Sequence, residues 1–108
     1  ACACVNVTCE ITFPGGVIPA AVYDEDLVDQ VRKTIGEVLG EEKVAKDCGG
    51  GGEDFHYFKQ KKPELHAAYI GVGTGVTPGL HDPRMTMNPE SLRNGVKVLE
   101  KLILNVVG

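Results

Sequence analysis

The chain of 108 residues lacks several features that define other classes of protein. It has no run close to the roughly 20 apolar residues of a membrane span, and it lacks the charged and apolar regions of a signal peptide. It also lacks a basic excess, since 11 Lys and Arg face 15 Asp and Glu, for a formal net charge of -4. We therefore expect a cytoplasmic protein without a membrane or nucleic-acid partner, because phosphate binding needs a broad positive surface.

A methionine is missing at position 1, and Ala1 stands within strand-like sequence. We therefore expect the natural chain to begin earlier. The length fits one domain or a piece of one.

Cysteine is sparse, with four residues and no secretory context. We expect reduced and mostly buried thiols, because free cysteine is usually a core residue. Cys2 and Cys4 form a single Cys-x-Cys, which is weak as a metal signature without a second ligand pair.

The first regular pattern is an alternation of apolar and polar residues from Val5 to Phe13. A period of two predicts a half-buried strand, which Pro14 and the two glycines after it would end. Two further strands are predicted, a short one at Lys43 to Ala45 and an apolar one at His66 to Val72.

Helices are predicted between these strands. Asp24 is a favourable N-cap for a helix that Gly40 would end, and Asn88 followed by Pro89 starts the last helix. The last helix has an apolar stripe: Leu92, Val96, Leu99, Ile103 and Val106. A shorter helix is predicted from Glu53 to the residues before Pro63, and an irregular segment spans Gly73 to Asn88. Strands alternating with helices indicate an α/β fold with a largely parallel sheet and flanking helices.

Two segments are candidates for chemistry because both follow predicted strands, where sites gather in α/β folds. The glycine run ending at Gly51 and Gly52 precedes Glu53, and its backbone N–H groups could bind a small carboxylate; a flexible turn is the structural alternative. His81 stands between Pro78 and Pro83 and could ligate a metal, but one histidine is not a site, and an ordinary loop histidine is the alternative.

Several motifs occur in an order that resembles a known family. They are Gly51-Gly52-Glu53-Asp54-Phe55, Tyr57-Phe58, Pro63, Ala68-Tyr69-Ile70-Gly71-Val72-Gly73, Leu80-His81 with Pro83, and Met87-Asn88-Pro89-Glu90-Ser91-Leu92. This order is similar to the end of the aminoacylase, hippurate hydrolase and indole-acetyl-amino-acid hydrolase family of metallopeptidases, which also includes carboxypeptidases that release glutamate.

The resemblance implies a division of the chain and a set of site residues. Residues 1–13 would be the last strand of a lid domain that mediates dimerisation, and residues 14–108 the C-terminal segment of a zinc-peptidase-like catalytic domain. His81 matches the last metal ligand of the family, and Gly51, Gly52 and Glu53 match a segment lining the substrate pocket. No residue of this chain matches the general base or the remaining ligands, which lie in the N-terminal half of such enzymes.

The reaction implied is amide hydrolysis of N-acyl amino acids or small peptides by metal-activated water. The cofactor would be two divalent ions, zinc first, with manganese, nickel or cobalt as alternatives. A homodimer through the lid is implied for the full-length protein, and this chain alone is expected to be inactive. An interpretation from another class is a small stand-alone α/β binding module with an anion-binding glycine turn; cooperative, monomeric folding of these residues would favour the module.

Overall fold

The computed structural model describes residues 7–46 and 51–108, which form three α-helices. Helix α1 spans Glu25–Leu39, α2 spans His56–Lys61 and α3 spans Leu92–Val107. Two short 3-10 helices, Glu41–Lys43 and Pro89–Ser91, follow α1 and precede α3. None of the helices in the described residues is long and apolar enough to cross a membrane.

The ends of α1 are those that the sequence predicts. Asp24 occupies the N-cap position, and Glu25 and Asp26 place acidic side chains in the first turn, where they interact favourably with the helix dipole. Gly40 ends the helix with φ +100°, and its N–H donates to the carbonyl of Gly36. The Asp24 side chain does not cap the helix, however, because its carboxylate is hydrogen-bonded elsewhere.

The start of the last helical segment is also confirmed. The Asn88 side chain accepts a hydrogen bond of 3.0 Å from the backbone N–H of Glu90, and Pro89 occupies the first position. The segment begins as a 3-10 turn and continues as α3. An N-cap amide followed by proline is therefore a local signal that works without tertiary support.

Helices α1 and α3 pack against each other around a small core. Val31 of α1 and Val98 of α3 are buried, and Thr34 is 1% exposed. The Thr34 hydroxyl donates to the Gln30 carbonyl at 2.8 Å and accepts from the Asn105 amide at 3.4 Å. This polar pair joins the two helices beside the buried valines.

The prediction of an α/β fold with a largely parallel sheet is wrong for the described residues, which contain helices and a single isolated bridge between Thr77 and Thr86. Residues 7–13 and 66–72 form no strand, and Glu41–Lys43 is a 3-10 turn where a strand was predicted to begin at Lys43. Within the described ranges, no main-chain hydrogen bond joins 7–13 to another segment, and 66–72 has a single one, from the Asp24 N–H to the Ala67 carbonyl. Alternation and β-branching favour an extended backbone, but a strand also needs a neighbour that pairs with it.

The predicted apolar stripe of α3 lies on its solvent side. All five of its members are at least 45% exposed. The face that packs on α1 contains Val98 and Asn105 instead. Periodicity therefore located an apolar face correctly but not the face that is buried.

Other predictions fall partly outside the described ranges. Cys9 is exposed and free, so the expectation of burial is wrong for this thiol, whereas Cys2, Cys4 and Cys48 lie outside the described residues. The same holds for Val5 and for the first two glycines of the glycine run. The division of the chain between residues 13 and 14 stays a prediction.

Candidate functional site

The turn that contains Gly51, Gly52 and Glu53 precedes α2. An added Cβ at Gly52 would lie 3.1 Å from Cγ2 of Ile18, so glycine permits a close approach there, whereas Gly51 faces open space. The Glu53 carbonyl accepts a hydrogen bond of 3.1 Å from the His56 N–H, and the Glu53 side chain is exposed. The negatively charged carboxylates of Glu53 and Asp54 would repel an anion at this turn.

His56, the first residue of α2, is buried in a cluster of aromatic rings. Its Nε2 lies 2.9 Å from the Tyr23 hydroxyl, and its ring makes edge contacts with Tyr23, Phe55 and Tyr69 at centroid distances of 5.8 to 6.5 Å. The Nδ1 atom is buried and has no hydrogen-bond partner in the described part of the chain. This cluster joins α2 to the segment before α1 and to the segment after Pro63.

Beside this aromatic cluster, the Asp24 carboxylate forms a polar junction between segments. The Asp24 carboxylate accepts hydrogen bonds from Lys59 Nζ at 2.5 Å and from the Ala67 N–H at 2.7 Å, and His66 Nδ1 lies 3.5 Å away. The Ala67 carbonyl accepts in turn from the Asp24 N–H at 3.0 Å. The Lys59 hydrogen bond and then the Ala67 N–H lower the pKa of Asp24 below its ordinary value of 3.8, because both stabilise the charged carboxylate.

His81 lies in the loop that the Thr77 and Thr86 backbones close with reciprocal hydrogen bonds of 3.1 and 2.9 Å. Its backbone has φ +67°, a left-handed conformation that is uncommon for a residue other than glycine. The imidazole is exposed. The loop therefore presents a side chain that a ligand or a metal ion can reach, at some cost in backbone strain.

Asp82, which follows His81 in the sequence, forms an ion pair with Arg84. Its carboxylate accepts from the Arg84 guanidinium at 3.1 and 3.2 Å and from the Arg84 N–H at 2.8 Å. The guanidinium hydrogen bonds, followed by the backbone one, lower the pKa of Asp82. This carboxylate thus stabilises the turn through its contacts with Arg84.

The donor set for a metal ion is incomplete in the part of the chain that the structure describes. No three His, Cys, Asp or Glu side chains there come close enough together to hold one. A catalytic zinc site needs about three protein ligands. The described residues therefore do not hold a metal by themselves, and His81 can supply one imidazole at most.

Among the described residues, the structure shows no direct polar contact between the predicted site residues. No hydrogen bond or ion pair between described residues joins the Gly51–Glu53 turn to the His81 loop. Sequence reasoning also missed the burial of His56 and the role of Asp24 as a junction. The aromatic residues on both sides of His56 were the available signal, since a histidine among them favours a buried position; nothing local signalled the Asp24 contacts.

Comparison with known proteins defines the class of this chain as a peptidase. The family model for Peptidase family M20/M25/M40 matches residues 2–105, nearly the whole sequence, so the chain belongs to this family. No curated protein matches the chain. No solved structure matches it either.

Family membership confirms the hydrolase prediction at the level of a peptidase, and peptidases of this family are generally metal-dependent. It confirms the resemblance at the level of the family and leaves the aminoacylase and hippurate hydrolase branch untested.

Proposed function

We propose that this chain is part of a metal-dependent amidohydrolase that cleaves the amide bond of N-acyl amino acids or small peptides. The observation that carries the proposal is the family match over residues 2–105, together with the ordered motifs around Gly51–Glu53 and His81. In this proposal His81 is one metal ligand, and Gly51, Gly52 and Glu53 line the substrate pocket. The general base and the other ligands belong to polypeptide outside these residues.

The loop geometry supports the role of His81. An exposed imidazole, held in a left-handed conformation and bracketed by the Thr77 and Thr86 hydrogen bonds, is presented to a partner rather than buried in a core. Histidine is among the commonest ligands of zinc. Zinc is the first candidate metal, with manganese, nickel or cobalt as alternatives.

The glycine turn supports a substrate role through its shape. Gly51 has open space where a side chain would stand, so the backbone there can approach a ligand closely. The exposed Glu53 would meet a polar or cationic part of the substrate. Metal ions in such hydrolases polarise the scissile carbonyl and lower the pKa of a bound water.

The proposal is tested by amide hydrolysis in the natural gene product that carries these residues. N-acetyl and N-benzoyl amino acids and dipeptides are the substrates, with zinc or manganese added. We expect turnover in the unaltered protein and a loss of more than about 100-fold in His81→Ala, because an incomplete ligand set binds metal poorly.

The matched control is His66→Ala, which removes an imidazole that is 83% exposed in another segment. We expect this variant to keep its activity. Equal activity in His81→Ala and the unaltered protein, or no hydrolysis of any of these amides by the natural product, would overturn the proposal.

A further inference from the structure

The Gly51–Glu53 turn has no strong local reason to hold one conformation. Helix α2 contains six residues, and a helix of that length is not stable on its own in water. The turn is closed by the hydrogen bond from the His56 N–H to the Glu53 carbonyl. Something outside the turn must therefore hold the start of α2.

The His56 side chain is one anchor at that point. It is more than nine-tenths buried, with 7% exposure, and aromatic rings surround it. Its Nε2 is hydrogen-bonded to the Tyr23 hydroxyl, while Nδ1 has no partner among the residues that the structure describes. Because a buried imidazole gains from each hydrogen bond it makes, the Nε2 contact favours this orientation of the ring.

The opposite side of the turn is held by the segment before α1. Ile18 packs against Gly52, and the Tyr57 hydroxyl donates to the Val17 carbonyl at 2.7 Å. Tyr57 lies in the first turn of α2, so this contact also holds the start of the helix, and the Lys59 hydrogen bond to Asp24 holds its later part. Within the described residues, the Nε2 contact with Tyr23 is the side-chain hydrogen bond of His56 itself, the residue whose N–H closes the turn.

We propose that His56 is a positioning residue for the Gly51–Glu53 turn and that it acts through the hydrogen bond of its Nε2 to Tyr23. The role of the turn in substrate binding rests on the function proposed above, whereas the positioning by His56 does not. His56 does not touch substrate in this account.

The test compares two substitutions of His56 whose polar side-chain atoms stand at different distances from the backbone. The polar atoms of a Gln side chain stand at the ε position, where Nε2 stands in His, and those of Asn stand at the δ position, where Nδ1 stands. We expect the N–H groups of residues 56 and 57 to exchange with deuterium about five- to tenfold faster in His56→Asn, the effect of one lost hydrogen bond. In His56→Gln we expect exchange within about twofold of the unaltered chain.

The N–H groups of Val31 and Val98, in the core between α1 and α3, distinguish a local effect from unfolding. They should exchange at unchanged rates in both variants. The proposal is overturned if Gln and Asn have equal effects, if neither has one, or if the core amides accelerate as much as those of residues 56 and 57.

The Michaelis constant of the natural gene product then separates the two proposals. If the glycine turn binds substrate, His56→Asn should raise KM severalfold with little change in kcat, and His56→Gln should restore KM. If the exchange rates change as expected while KM does not, the positioning by His56 stands and the substrate role of the turn is overturned.

Discussion

At the start of α1, the Asp24 carboxylate joins three segments of the chain. It accepts hydrogen bonds from Lys59 in α2 and from the Ala67 N–H in the segment after Pro63. The lowered pKa of Asp24 means that folding favours the charged form. Its contribution to stability is therefore fully present above the ordinary value of 3.8 and is lost as the pH falls through the lower value of the folded state.

We expect Asp24→Asn to lower the free energy of unfolding near neutral pH, and the difference from the unaltered chain to shrink below about pH 4. Urea denaturation at both pH values measures it. Asp29→Asn, at an exposed α1 carboxylate, is the control and should have little effect at either pH. A difference for Asp24→Asn that persists undiminished at the lower pH would contradict this account of the carboxylate.

Gly52 provides a second test at the residue scale. We expect Gly52→Ala to lower the free energy of unfolding by about 1 kcal/mol, because its Cβ would press on Ile18 at 3.1 Å. Gly51→Ala is the matched control and should be neutral or slightly stabilising, since nothing lies within 4 Å of the added Cβ. Denaturant midpoints measure both, and equal effects would show that the Ile18 contact does not restrict the turn.

At the scale of elements, the helices were predictable from the sequence and the strands were not. Asp24, Gly40 and Asn88 with Pro89 are local signals, and each marks a helix end in the structure. A strand depends on a second segment at a distance that no local pattern specifies, so the strands predicted from the alternation after Val5 and from the apolar run after His66 are wrong for the described residues. The start of α2 was predicted three residues early, at Glu53 rather than at His56.

The exposed stripe of α3 predicts behaviour in solution. Its five apolar residues are available for association, because exposed apolar patches of this kind promote contacts with other surfaces. We expect the isolated chain to self-associate or to bind a hydrophobic dye, and Leu99→Glu with Ile103→Glu to reduce both without loss of helix. Analytical ultracentrifugation and dye fluorescence measure these properties.

Val98, on the buried side of α3, provides a control for the substitutions on its exposed side. Val98→Ala should leave dye binding unchanged and lower the free energy of unfolding by about 2 kcal/mol, because Val98 is 3% exposed against α1. If the two glutamate substitutions unfold the chain while Val98→Ala has no effect, the assignment of the two faces of α3 is wrong.

At the scale of the whole molecule, the chain is extended for its length. Its radius of gyration is 19.1 Å, against about 13 Å for a compact domain of this size. Its accessible surface is 8897 Å², against about 5,800 Å² for a folded protein of this mass. Few apolar side chains are buried in the described residues, which fits a part of a larger catalytic unit better than an independent binding module.

The candidate metal site is also incomplete in the described residues. The ordered motifs of glycine turn, loop histidine and proline cap predicted the peptidase family, and the family match over residues 2–105 confirms that prediction. They could not predict which side chains would join His81 at a metal ion, because no group of three or more His, Cys, Asp or Glu side chains in the described residues could hold one.

Metal content of the natural gene product tests the central claim most directly. After dialysis against zinc, elemental analysis should find bound metal in the unaltered protein and in His66→Ala, and a lower occupancy in His81→Ala at equal free zinc. Equal zinc occupancy in His81→Ala and the unaltered protein, over the whole titration, would contradict the assignment of His81 as a metal ligand.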